Sequence, residues 1–326
     1  MADQQALFEL IDRIVCLDLG ARGMTGLYQP ARALGEGAIS GQAASKLARL
    51  QAGDTVAVVT GSLSRASVAA HIAENDGPMG AAVLARALSL GFNAIPVLLA
   101  DEPIIDKVAA IAQVAGSNIV TLPEARIAAS LSRFTQVAAT ATAPADDHAA
   151  REDAPRLLAA LAPKAVISIE RAGMTADGTY RNALGQDYSE GRARFDYFVQ
   201  AAMDAGIPTI GIGDGGNEIG MGAVREAVHE HVPYGPVLCA QQATDVLLPA
   251  GVSNWGGYAI AAALAILTGN PDLAHSRECE QRLLHASPQI GLIDGNTGRL
   301  DPTVDGMPLA VHLAIVDLLS QVVRRA

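Results

Sequence analysis

The chain has 326 residues, half of them hydrophobic and 17% charged, with a formal net charge of −11. That length suits one large α/β domain or two smaller ones, and the balance excludes a disordered chain. Charge is spread along the sequence with no basic run longer than Arg324–Arg325, which excludes a nucleic-acid footprint.

The first residues carry acids and no basic region leading into an apolar stretch, so no signal peptide is expected. No apolar run is long enough to span a bilayer, so no membrane partner is expected either. Cys16, Cys239 and Cys279 are scattered without C-x-x-C spacing, against both a disulfide framework and a structural zinc, and the expected compartment is the cytoplasm. The first fifty residues run in helical rhythm, and Ser40 is placed to cap a helix over 39–50. The β-branched run 55–61 predicts a buried strand, and 79–91 a helix opened by Pro78 and closed by Gly91. Strand 93–100, helix 104–116 and strand 117–122 follow. The small, polar stretch 138–153 reads as a linker or a loop before a helix at 156–163, leaving open a break near 138–150 between two lobes.

Beyond it come strand 164–170, a long irregular loop 171–189, helix 192–206, strand 207–214, strand 244–250, a glycine-broken helix from Asn254 and a C-terminal helix over 308–325. Alternating strands and helices predict an α/β fold, a mostly parallel central sheet flanked by helices. Such sheets bind ligands in a cleft at the carboxyl ends of their strands. Polar or glycine-rich loops follow three of these strands. The first holds Thr60, Ser62 and, farther on, Asp76. The second opens with Glu170 and Arg171 at the end of an apolar strand. The third, Ile210–Gly222, packs six glycines with Asp214, Asn217 and Glu218 into thirteen residues. Gly211, Gly213 and Gly216 satisfy G-x-G-x-x-G, but carboxylates in such a turn repel a pyrophosphate, so no nucleotide cofactor is expected. Asp214, Asn217 and Glu218 are instead hard oxygen ligands of the kind magnesium, manganese or calcium prefer. Ser253 and Asn254, at an expected helix start, offer amides to an anion such as a substrate carboxylate.

Taken together, the segments 22–32, 60–65, 73–88, 168–187, 210–222, 247–260 and 305–316 resemble the D-glutamate cyclase family in order along nearly the whole chain. One departure is Asn75, where the family pattern carries threonine. The resemblance implies a single domain over 1–326 and a hydro-lyase that converts D-glutamate to 5-oxo-D-proline and water. For that chemistry Glu170 and Asp76 are the expected proton-transfer residues. Arg171, Thr60, Ser62, Ser253 and Asn254 are the expected substrate contacts, and Asp214, Asn217 and Glu218 the expected ligands of a magnesium or manganese ion. The expected partner is a small acidic amino acid, with a homo-oligomer open. A metal-dependent phosphatase and a non-catalytic acidic amino-acid-binding module are the alternatives.

Overall fold

The computed structural model describes residues 3–131 and 133–326; residues 1, 2 and 132, which the expected span 1–326 includes, lie outside it. In chain order the strands are β1 (Thr55–Thr60), β2 (Ala73–Glu74), β3 (Ile95–Leu99), β4 (Asn118–Ile119), β5 (Val137–Ala141), β6 (Ala165–Ile169), β7 (Thr209–Gly213), β8 (Val246–Pro249), β9 (Leu292–Ile293), β10 (Thr303–Val304) and β11 (Met307–Pro308). Seven of them form one sheet in the order β4-β5-β3-β1-β6-β7-β8, parallel throughout. The remaining four make two small pairs, β2 with β9 and the hairpin β10–β11.

The central strands are buried on both faces, which is why they read as continuous apolar runs. Their side chains alternate between two cores. Val56, Val58, Ile167, Ile169, Ile210 and Ile212 meet the larger helical layer, built around the helices Pro78–Phe92 and Ser253–Thr268. Ala57, Val59, Val97, Leu99 and Val166 meet Phe195, Phe198, Val199 and Ala202 of the helix Phe195–Asp204, with Ala154 and Leu161 of the helix Asp147–Leu161.

From β1 the chain moves outward to β3, and from β6 it moves the other way to β7. The strand order therefore reverses between β1 and β6, and a crevice opens beyond their carboxyl ends, next to Thr60 and Glu170.

Several local expectations are corrected. The linker-like stretch near 138–150 supplies β5, paired with β3 and β4 inside the main sheet, and then the start of the helix Asp147–Leu161, capped by Asp146. Its alanines and threonines fit a strand near the edge of the sheet. The strand expected over 117–122 shrinks to β4, because Thr121 and Glu124 form a capping box that starts the helix Leu122–Ser130. Gly91 lies inside the helix Pro78–Phe92, which ends at Asn93 in the left-handed region. Ser40 lies inside the helix Ile39–Leu47, and its hydroxyl donates to the Phe8 carbonyl. The cap comes from another helix: Asp12 accepts from the amides of Ile39 at 2.6 Å and Ser40 at 3.0 Å.

The helix Ser253–Thr268 is continuous through its glycines and buried from Ser253 to Ile266. The glycines are there for approach. A Cβ on Gly257 would lie 2.9 Å from the carbonyl oxygen of Gly80 on the helix Pro78–Phe92, and one on Gly256 would collide with Ile212 of β7. At this crossing the two helices exchange caps. Asp76, just before one helix, accepts from the amides of Ser253 (3.0 Å) and Asn254 (2.8 Å) of the other. The Asn254 side chain in return accepts from the amides of Gly77 (3.0 Å) and Gly80 (2.6 Å). Both helix starts consequently point at the crevice.

Caps that act across the fold make a prediction. Asp12→Ala leaves two buried amides without an acceptor and should cost about 2 kcal/mol, whereas Ser40→Ala should cost well under 1 kcal/mol. Denaturant unfolding of both variants checks this; a Ser40 variant as weakened as the Asp12 variant would return the cap to Ser40.

Candidate active site

Three acids from three loops converge beyond the sheet. One carboxylate oxygen from each of Asp76, Glu170 and Asp214 lies within 4.8 Å of the others. Glu170 follows β6 with φ 48°, a left-handed conformation that costs a non-glycine residue about 1 kcal/mol, and its Oε2 accepts from the Ser253 hydroxyl at 2.5 Å. Gly77, with φ 88°, lets the loops close: a Cβ there would lie 2.7 Å from the Glu170 Cβ and 2.8 Å from the Thr60 hydroxyl. Thr60 and Ser62 are buried at the end of β1, with hydroxyls turned to the carbonyls of Gly61 and Leu63.

The glycine-rich loop after β7 is folded around its own acid. Oε1 of Glu218 accepts from the amides of Asp214 (3.2 Å) and Gly215 (2.7 Å), so the amides that a pyrophosphate would need are occupied by a carboxylate. The other Glu218 oxygen is buried without a hydrogen-bond partner. Asn217 donates to the Arg181 carbonyl (2.8 Å) and the Tyr188 hydroxyl (3.2 Å). The expected ligand set of Asp214, Asn217 and Glu218 is therefore not the set the fold gathers: Asp214 faces Asp76 and Glu170, while Asn217 fastens the 171–194 loop and Glu218 braces its own turn.

Arg171 also needs correcting. Its guanidinium grips Asp101 at 2.6 and 2.8 Å, donates to the Ala193 carbonyl and lies over the Phe195 ring, all fully buried. It braces the loop from behind and leaves the crevice to another arginine. That residue is Arg22, which reaches Asp214 at 2.6 Å and Asp305, in the turn of the β10–β11 hairpin, at 3.1 Å. Its backbone is set by Asp18, which accepts from the amides of Arg22, Gly23 and Met24. Arg22, Asp305 and Glu74 were given no role in the site from the sequence. Only Asp305 carried a local signal, the Asp-Gly pair that favours a tight hairpin turn. Two open surface hollows, of about 530 and 390 Å³, hold none of the converging acids; the polar chemistry rather than the volume marks the crevice.

A family model described as "D-glutamate cyclase-like, C-terminal" matches residues 11–320. The chain belongs to the D-glutamate cyclase-like, C-terminal family. A human relative named "D-glutamate cyclase, mitochondrial" is 48% identical over 103 residues, which cover 31% of this chain and 17% of the relative. Among the described residues no helix is long and apolar enough to cross a membrane.

In this member of the D-glutamate cyclase-like family the crevice concentrates negative charge. Burial raises Glu170 well above the usual carboxylate range, with Glu218, Asp76 and Glu74 adding to it. Burial also raises Asp214, against the pull of Arg22. Asp76 is pushed up to about 7 by burial and by Asp305, the amides of Asn254 and Ser253 opposing, and Glu74 to about 8 by burial, Asp305 and Asp76. Asp76 and Glu74 therefore hold protons close to neutrality, and the hard oxygens of the cluster suit a divalent cation. The orphaned Glu218 oxygen fits either way of offsetting the charge.

Stability should follow these protons. Between about pH 4 and pH 8 the folded chain holds protons on Asp76 and Glu74 that the unfolded chain has released, so stability falls as pH rises through that window. With chelator present, the melting temperature should be higher at pH 6 than at pH 8.5, and manganese should recover part of the loss at the higher pH. A melting temperature that rises across the window would show these acids ionised in the fold.

Proposed function

We propose that this chain cyclises D-glutamate to 5-oxo-D-proline with release of water, acting as a hydro-lyase. The observation that carries the proposal is the meeting of Asp76, Glu170 and Asp214 at the switch point of the sheet, in a member of the D-glutamate cyclase-like family.

In the reaction the α-amine attacks its own γ-carboxyl carbon, a C–N bond forms and a C–O bond breaks. The ammonium group loses two protons and the departing oxygen gains two, leaving as water, so no outside reactant is needed. What is needed is a group that takes a proton at nitrogen and gives one at oxygen. Glu170 suits that work: the residue is partly exposed at the crevice, burial and the neighbouring acids raise its carboxyl above the usual range, and Ser253 aims it. Asp76, held by the amides of Gly77, Ser253 and Asn254, is the fixed member of the group. The helix start at Ser253 adds positive potential where charge develops on the substrate oxygen.

Asp76 and Asp214, with Glu170 completing the set, would hold a divalent ion such as magnesium or manganese, which when bound supplies a Lewis acid for the γ-carboxylate. Enclosing a folded substrate between these loops brings nitrogen and carbonyl carbon together and excludes competing water. The partner in this reading is an acidic amino acid, and the cytoplasm is the proposed compartment.

The test is to incubate purified chain with D- and L-glutamate after chelation and again with magnesium or manganese, following 5-oxoproline by chiral chromatography. D-Glutamate should be converted, with turnover lost on chelation and regained with metal. Glu170→Gln should lower turnover by about 100- to 10,000-fold while the melting curve stays close to the parent's. Saturable binding of D-glutamate without product would leave an amino-acid-binding module in place of an enzyme.

A further inference from the structure

The acids around the crevice are not equivalent in what already binds them. Asp76 takes three backbone amides. Asp214 and Asp305 share the Arg22 guanidinium. Glu170 takes the Ser253 hydroxyl, and Glu218 takes two amides of its own loop. Glu74 differs. Among the described residues its carboxylate accepts no hydrogen bond, and no arginine, lysine or histidine nitrogen lies within 4.0 Å of it.

Its position is nevertheless well determined. The Glu74 amide donates to the Ser62 carbonyl at 3.3 Å, and the next amide, of Asn75, donates to the Ile293 carbonyl at 2.9 Å. The Asn75 side chain is tied in turn to the Thr303 carbonyl at 2.7 Å. The carboxylate lies against Gly295, which has no side chain to displace it. Glu74 is partly exposed, and Arg192 is spent on the carbonyls of Leu63 and Tyr188 and stacked 3.5 Å over the Tyr188 ring. A carboxyl group on an anchored backbone, with no partner of its own and two residues from Asp76, is the complement of a primary ammonium group, which brings three donors and a positive charge that favours the ionised acid.

We infer that Glu74 recognises the α-ammonium group of the substrate and is a specificity-determining residue of this crevice. The inference rests on the crevice taking an acidic amino acid. Glutarate keeps both carboxylates and the chain length of glutamate but has no amine, so the two ligands separate ammonium recognition from everything else in the site. It follows that Glu74 decides for an amino acid over a plain dicarboxylate.

The experiment measures binding of D-glutamate and of glutarate by calorimetry to the full chain, in a Glu170→Gln background so that ligand is consumed slowly relative to the titration, with and without Glu74→Gln. Loss of one charge-assisted contact should weaken D-glutamate about tenfold or more and leave glutarate within about twofold. Glu74→Asp, which keeps the charge on a shorter stem, should recover part of the loss. An equal loss for both ligands would assign Glu74 to general site geometry or to the cation, and no loss for D-glutamate would remove it from recognition; either overturns the inference. Product formation by the parent chain is followed separately. A parent that binds D-glutamate through Glu74 but forms no 5-oxoproline would end the cyclase reading alone, and one that binds neither ligand would end both.

Discussion

The exchange of caps between the helices Pro78–Phe92 and Ser253–Thr268 is the constraint on which the site depends. Asp76 and Asn254 each satisfy the exposed amides at the start of the other's helix. Such caps are worth about 1 kcal/mol each, and more where the acceptor is charged. The exchange does more than stabilise. It forces two helix starts to the same place, which is possible only because Gly80 and Gly257 let the backbones touch. It also fixes Ser253, and Ser253 aims Glu170. Removing the carboxylate of Asp76 would strand buried amides, and burying that carboxylate without them would be costly, so each half of the arrangement holds the other in place.

The same logic explains the glycine-rich turn after β7. A loop built from small residues presents its amides inward, and in a dinucleotide-binding protein those amides hold phosphate. Here Glu218 occupies them from within the chain. Gly213 and Gly215 make room for that internal anion, since a Cβ at either would meet the Glu218 carboxylate at 2.7 to 2.9 Å. With its amides engaged, the turn offers the crevice the Asp214 carboxylate instead, and a spacing that looks like a phosphate cradle becomes part of an acid cluster.

The parts legible in the sequence are those set by local pattern. Apolar runs marked β1, β3, β6, β7 and β8, and the position of Glu170 directly after a buried strand placed it at the ligand-binding end of the sheet. What escaped was set over long range. The Arg22–Asp214 pair joins residues 192 apart, and the amides capped by Asp76 lie 177 and 178 positions along the chain, separations on which helix and strand periods say nothing. Arg171 shows a subtler failure. Glu170 and Arg171 stand together after β6 in the sequence, yet the arginine turned to Asp101, a partner 70 positions away that no local pattern marks.

The charge of the crevice then limits what it can accept. Glu74, Asp76, Glu170, Asp214, Glu218 and Asp305 ring it, and Arg22 is the cation paired with them among the described residues. At neutral pH glutamate brings two carboxylates and one ammonium group, and would be repelled by such a ring if all its members were ionised. The proposed substrate would therefore bind only if the site holds protons, a cation, or both. Held protons give carboxyl groups able to donate to the substrate's oxygens, and a bound cation would leave more carboxylates free to face the ammonium group. In either state the acids are useful because the fold keeps them from being balanced internally: their burial and crowding, unfavourable to the empty site, are relieved when a positively charged or proton-exchanging group enters.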